Sequence, residues 1–199
     1  MFEKAILLTA SLIALNVNMI RAQSVNSCPD GWARFQRDSG VWCLKLFAAE
    51  NWDYDKASKL CISQGSVVSG IQNLAESTFV IDSSYSVMGG NSGSIWLGAE
   101  RTKQCLKKKL SATCSQKTAF SWTDGSTTGD FNWLDSSQPD NAHGLTQDCL
   151  VFFAAGNNVK YKNVDWFPGA LDDVACSTAQ MEKTGPRVVR AVLCGQAAK

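Results

Sequence analysis

The sequence predicts an α+β domain, and three features of its 199 residues carry that expectation. Two segments with helical apolar spacing come early, short β-rich runs divided by turn residues fill most of the remaining chain, and eight cysteines stand behind an apolar leader. The helices precede most of the strands, which is the order of an α+β chain.

The leader comes first. Met1-Phe2-Glu3-Lys4 precedes an apolar run from Ala5 to Ile20, and Ala22 offers a small residue for cleavage, the pattern of a secretory signal peptide over residues 1–22. That run is shorter than the roughly 20 residues a membrane helix needs and is broken by Asn16 and Asn18. No later segment is apolar enough to span a bilayer, so one domain is expected over 23–199, with its core at about 28–195. Eight cysteines behind such a leader read as four disulfides formed in an oxidising, extracellular compartment. Zinc is disfavoured by the lack of Cys-x-x-Cys and the single histidine. The net charge of +1 gives no reason to expect nucleic acid or an acidic membrane surface as partner. Lys107-Lys108-Lys109 reads as a solvated loop tip.

Within the domain, Cys28-Pro-Asp-Gly-Trp32 opens with turn residues, and Asp38-Ser39-Gly40 divides Trp32–Phe35 from Val41–Phe47, a hairpin signal. Asn51 to Gln64 carries Trp52, Ala57, Leu60 and Cys61 near helical spacing, with Gly65 as the stop. A second helix is expected from Asn73, where Glu76 completes a capping box and Phe79 and Val80 give an apolar side, up to Gly89-Gly90. Strands are expected at Ile95–Gly98, Ala119–Thr123, Leu150–Ala154, Val159–Trp166, Val174–Cys176 and Val188–Cys194. Trp32, Trp52, Trp96, Trp122 and Trp133 read as core. The stretch from Gly125 to Asp148 has little periodicity, and a loop of that length needs a clamp, of which a bound cation is one.

The residues that suggest such a cation are Gln138-Pro139-Asp140, Gln147 ahead of Cys149, and Asp172-Asp173 ahead of Cys176. A Cys149–Cys176 disulfide would draw these oxygens together. Calcium accepts amide carbonyl and carboxylate oxygens alike, and Gln138, Asp140, Gln147, Asp172 and Asp173 supply both. The plainer alternative makes Gln-Pro-Asp an ordinary turn and Asp172-Asp173 a solvated loop corner. Catalysis is not indicated: every cysteine is a candidate for pairing, and His143 stands alone as a possible base.

Taken in order, Cys28-Pro-Asp-Gly-Trp, Ile95-Trp-Leu-Gly, Gln138-Pro-Asp, Gln147-Asp-Cys149, Asp172-Asp-Val-Ala-Cys176 and Val192-Leu-Cys194 resemble a C-type lectin-like domain of the long form. The insert with Cys105 and Cys114, followed by Phe120-Ser-Trp-Thr-Asp-Gly125, resembles secreted invertebrate members with a single domain. The resemblance implies two helices, two small antiparallel sheets, a long calcium-binding loop and the disulfides Cys28–Cys43, Cys61–Cys194, Cys149–Cys176 and Cys105–Cys114. In the chain-entropy view the longest of these bridges stabilises by about 5 kcal/mol.

It also implies a function: calcium-dependent binding of glycans on cell or microbial surfaces, a role in innate immunity. One calcium would be held by Gln138, Asp140, Gln147, Asp172 and Asp173, with sugar hydroxyls completing its coordination against Gln138, Asp140, Gln147 and Asp172, and His143 within reach of the ligand. Asn141 lacks the charge expected at a second calcium site, so one ion is expected. Many sugar-binding members carry an acid at the position of Gln147 and an asparagine at that of Asp172. The two departures compensate in charge, leaving three carboxylates among the five ligands. Gln-Pro-Asp usually implies galactose-type ligands, but with the second pair exchanged the choice between galactose and mannose types stays open. The alternative function is a calcium-independent module of the same fold that binds a protein or other non-sugar ligand.

Overall fold

A hairpin opens the described chain, which is residues 27–199 of a computed structural model. The leader expected over 1–22 lies outside the described residues. Strand β1 (Ala33–Arg37) pairs antiparallel with β2 (Gly40–Ala48) across the expected turn, and Cys28–Cys43 closes its base. Helix α1 (Tyr54–Ser63) starts later than the apolar spacing suggests. Asn51 has φ of +55°, and Asp53 turns its carboxylate across to the Thr178 amide at 2.6 Å instead of capping the helix. Strand β3 (Val67–Val68) is too short to leave a periodic signal.

Helix α2 (Leu74–Val87) begins at Asn73, whose side chain accepts from the Glu76 amide at 3.1 Å, as a capping box requires. The reciprocal half differs. Glu76 is fully buried and accepts from the Gln72 amide at 2.8 Å and from Arg37 Nε and Nη2 at 2.8 and 2.7 Å. Glu76, Val80 and Ser84 form the buried stripe of this helix, one turn apart, while Phe79 packs on Phe35.

Strands β4 (Gly93–Arg101), β5 (Phe120–Trp122), β6 (Cys149–Ala154), β9 (Leu171–Val174) and β10 (Val189–Ala197) complete the larger sheet, ordered β1-β2-β10-β4-β6-β9, with β3 beside β10 and β5 beside β4. The α+β class and two sheets agree with the expectation, but the larger sheet has eight strands and includes a parallel strand pair, β10 on β4. The expected strand Val159–Trp166 is a hairpin, β7 (Val159–Tyr161) and β8 (Val164–Trp166), turned by Lys162 and Asn163 with φ of +48° and +65°. Gly98 of the Trp-Leu-Gly motif lets β3 approach, because a Cβ there would lie 2.0 Å from the Val68 carbonyl oxygen.

The bonded cysteines are Cys28–Cys43, Cys61–Cys194, Cys105–Cys114 and Cys149–Cys176, the pairing the resemblance implies. Cys61–Cys194 spans 133 residues and ties α1 to β10. Trp96 is fully buried and Trp133 nearly so, whereas Trp32, Trp52 and Trp122 are half-buried at the core margin.

The long loop after β5 is held by its own side chains. Trp122 stacks on Phe131 at 4.4 Å, and Phe131 on Trp133 at 5.4 Å. Asn132 and Leu134 exchange backbone hydrogen bonds with Leu171, extending the sheet edge beyond β9. At the loop's start the Asp124 carboxylate accepts from the amides of Ser126, Thr127 and Gly70 and from the Thr127 hydroxyl at 2.6–2.9 Å, and pairs with Arg37 at 3.4 Å. Burial raises the Asp124 pKa, but the Thr127 hydroxyl and the three amides outweigh it and hold the carboxyl below its usual value. A depressed carboxyl contributes stability that is present above the unfolded pKa and lost as the pH falls through the folded one. Asp124→Asn is therefore expected to lower stability at neutral pH by about 2–3 kcal/mol. Urea unfolding should show the gap between wild type and variant narrowing below about pH 4.

Candidate functional site

The sequence-predicted residues meet where the long loop lies against β9. Asp172 and Asp173 are not a solvated corner: β9 begins at Leu171, so both sit on a strand paired with β6, opposite Val151 and Leu150, and their exposures are 1% and 0%. Gln138 and Gln147 are buried, Asp140 is half-buried and His143 is exposed. The Gln138–Pro139 peptide is cis.

Most of the oxygens expected to face an ion are hydrogen-bonded within the chain. Gln138 Oε1 accepts from the Asp140 amide at 3.0 Å, and Asp140 Oδ1 from the Ala142 amide at 3.0 Å, so both fold back on their own loop. Asp173 Oδ1 accepts from the Asp140 amide at 3.1 Å. Asp173 Oδ2 accepts from the Asn141 amide at 2.9 Å and from Arg101 Nη2. The Asp173 carbonyl accepts from Gln147 Nε2 at 2.7 Å. Asp172 Oδ2 accepts from Arg187 Nε. Two buried oxygens, Gln147 Oε1 and Asp172 Oδ1, have no hydrogen-bond partner among the described residues.

Two arginines thus stand against the two buried carboxylates. Arg101, at the end of β4, is 1% exposed in its side chain, also donates to the Gln147 carbonyl at 3.0 and 2.8 Å, and lies 4.7 Å over the ring of its cross-strand neighbour Phe120. Arg187 lies 4.9 Å over Trp166 and 3.6 Å from Glu182. Burial pushes the Asp172 carboxyl up to about 6, against the pull of Arg187. Burial and then Asp172 push Asp173 up to about 7, against the pull of Arg101. Two desolvated carboxylates side by side require nearby positive charge, and here the chain supplies it.

This donor set, as arranged, does not fit a calcium ion. Calcium takes about six to eight oxygens, whereas most of those expected are committed to loop amides or guanidinium groups. Among the described residues no three His, Cys, Asp or Glu side chains gather to hold a metal. The five expected ligands are neighbours, but their buried carboxylates are engaged separately: Asp173 turns to Arg101 and the loop amides, and Asp172 to Arg187. Asn141 has another task. With φ of +48° and no exposure, it accepts from the Gln147 amide at 3.0 Å and donates to the Lys108 carbonyl at 2.9 Å, stapling the long loop to the Cys105–Cys114 loop.

Sequence reasoning missed Arg101, Arg187 and the structural role of Asn141. For Arg101 a signal existed: it continues the every-second-residue row of Leu97 and Ala99, so strand alternation buries it and a buried guanidinium demands a carboxylate. Arg187 left none, because it comes after an irregular segment beyond the last cysteine-bearing loop.

This is the architecture of a C-type lectin domain, two helices beside a large sheet with a long loop folded over one end. A family model described as "C-type lectin domain-containing protein 141/158" matches residues 33–197, and the chain belongs to that family. Among solved structures it is similar to a calcium-independent type II antifreeze protein, with 21% identity and a TM-score of 0.51 over 89% of this chain and 99% of that one. It is similar to the cow carbohydrate-recognition domain of CD23, solved in the presence of a GlcNAc2Man3 oligosaccharide, with 16% identity and a TM-score of 0.54 over 88% and 99% of the two chains. The mouse scavenger receptor C-type lectin carbohydrate-recognition domain aligns with 20% identity and a TM-score of 0.53 over 87% and 100%. At such identities the likeness shows the fold. A comparison with curated protein sequences finds no match.

Asp173→Asn removes the buried counter-ion of Arg101, leaving it only Asp148 at 3.3 Å, and is expected to destabilise by about 3–5 kcal/mol. Asp172→Asn is expected to destabilise less, because Arg187 is 25% exposed and keeps Glu182. Urea unfolding of the two variants checks the order.

Proposed function

We propose that this chain is a non-catalytic binding module of the C-type lectin family that presents its long-loop face to a protein or other non-sugar ligand without calcium. The observation that carries this reading is that Arg101 and Arg187 hold Asp173 and Asp172, so the charge a calcium ion would neutralise is already neutralised. Next to these pairs lies a cleft of about 200 Å³ walled by His143, Gln147, Val174, Met181, Glu182 and Arg187. Its polar side carries His143, Glu182 and Arg187, and its apolar side Met181 and Val174. A ligand group with a polar end and an apolar body suits it. The remaining proposals concern setting: a leader over 1–22, a single domain over 23–199 and work outside the cell. Four disulfides are consistent with an extracellular location, and no described helix is long and apolar enough to cross a membrane.

A second reading, calcium-dependent glycan binding with a part in recognising microbial surfaces, is favoured by one observation. Asp172 Oδ1 and Gln147 Oε1 are buried acceptors without partners, and a metal with its bound hydroxyls would satisfy both. It requires Arg187 to leave Asp172. Calorimetric titration with calcium and a glycan array with and without chelator separate the two. The calcium-independent reading expects no binding heat up to several millimolar, beyond the roughly 10⁻⁴–10⁻³ M range of extracellular calcium modules, and no chelator-sensitive glycan signal. A saturable calcium isotherm accompanied by glycan binding that a chelator abolishes would establish the second.

A further inference from the structure

We propose that Arg101 is the resident cation of this domain, occupying a latent divalent-cation site that opens when its guanidinium is removed. The inference rests on the calcium-independent reading and deepens it.

The geometry around this side chain is that of a cation among ligands. Oxygens from three residues converge on the guanidinium: Asp173 Oδ2, Asp148 Oδ1 at 3.3 Å, and the Gln147 carbonyl at 3.0 Å from Nε and 2.8 Å from Nη2. Asp148 Oδ1 is buried without a hydrogen bond among the described residues and meets Arg101 as an ion pair alone. Two carboxylates and a backbone carbonyl are the donor chemistry of a hard cation, whose remaining coordination positions water can fill. The guanidinium donates directed N–H bonds to Asp173 Oδ2 and the Gln147 carbonyl, meets Asp148 Oδ1 through charge, and carries that charge on the chain, so no ion has to be recruited from solution.

The placement also explains what the cation does. Asp148 and Gln147 end the long loop, and Asp173 lies on β9 and receives the amides of Asp140 and Asn141. One buried charge, contributed by the end of β4, therefore joins both ends of the 138–148 segment to the sheet. Arg187 does not duplicate this role, because its ion pairs among the described residues are with Asp172 and Glu182 at the partly exposed rim.

The test compares wild type, Arg101→Gln, Arg101→Met and Arg37→Met, the last removing another buried arginine that has carboxylate partners of its own in Glu76 and Asp124. Thermal unfolding is monitored in chelator and in about 10 mM calcium, above the affinity range of extracellular calcium modules. The wild-type midpoint is expected to be the same in both. The Arg101 variants are expected to lose about 10 °C in chelator and to regain about 5 °C in calcium. Arg37→Met should lose stability and regain none. If the Arg101 variants do not fold in chelator, refolding yield replaces the midpoint, and recovery in calcium alone supports the proposal. Arg101 variants that gain nothing from calcium, or an Arg37→Met variant that gains as much, overturn it while the wild-type result stands. A wild-type protein that calcium stabilises overturns the underlying reading as well.

Discussion

The contact between Arg101 and Asp173 is the constraint on which the arrangement of the functional face depends. Both side chains are removed from water, at 1% and 0% exposure, and neither would be tolerable there alone. A buried ion pair is not in itself a large source of stability, because desolvation offsets most of the attraction. What makes this one effective is that both side chains also hydrogen-bond to the backbone of the loop. Asp173 takes the amides of Asp140 and Asn141, Arg101 takes the Gln147 carbonyl, and Phe120 covers the guanidinium. A network satisfied in this way specifies one loop conformation and penalises others, since each alternative leaves a buried charge unpaired.

The rest of the long loop obeys the same logic with different materials. Asp124 gathers amides and a hydroxyl at the beginning, Asn141 bridges to the Cys105–Cys114 loop in the middle, and the Trp122–Phe131–Trp133 stack fills the space between. The clamp that a loop of this length requires is distributed over polar side chains and rings of the chain itself. Domains of this fold include both a calcium-independent antifreeze protein and carbohydrate-recognition domains, so architecture alone does not choose between calcium-dependent and calcium-independent function. In this chain the side chains that face Asp172 and Asp173 are Arg187 and Arg101.

Much of the fold was legible in local pattern. The Asn73–Glu76 cap, the stop at Gly65, the hairpin after Cys28 and the strand run ahead of Gly98 all depend on neighbours within a few residues, and the structure places them close to expectation. The site was legible only in part, for a physical reason. Adjacent aspartates read as a loop because charged residues are rare at buried strand positions, so β9 was expected to begin after them. Their burial depends on guanidinium groups 72 and 15 residues away in the chain, and separations of that kind leave no periodic trace. Arg101 was the exception, since its place in the inward row of β4 carried the information that a partner carboxylate must exist.

Amide hydrogen exchange at Asp140 and Asn141 reports most directly on what holds the loop, because those two amides donate to the Asp173 carboxylate that Arg101 neutralises. If the arginine is the clamp, both amides are protected in the presence of chelator and calcium adds nothing to that protection. Exchange in chelator at the rate of an open loop, with protection appearing only when calcium is supplied, would contradict the account.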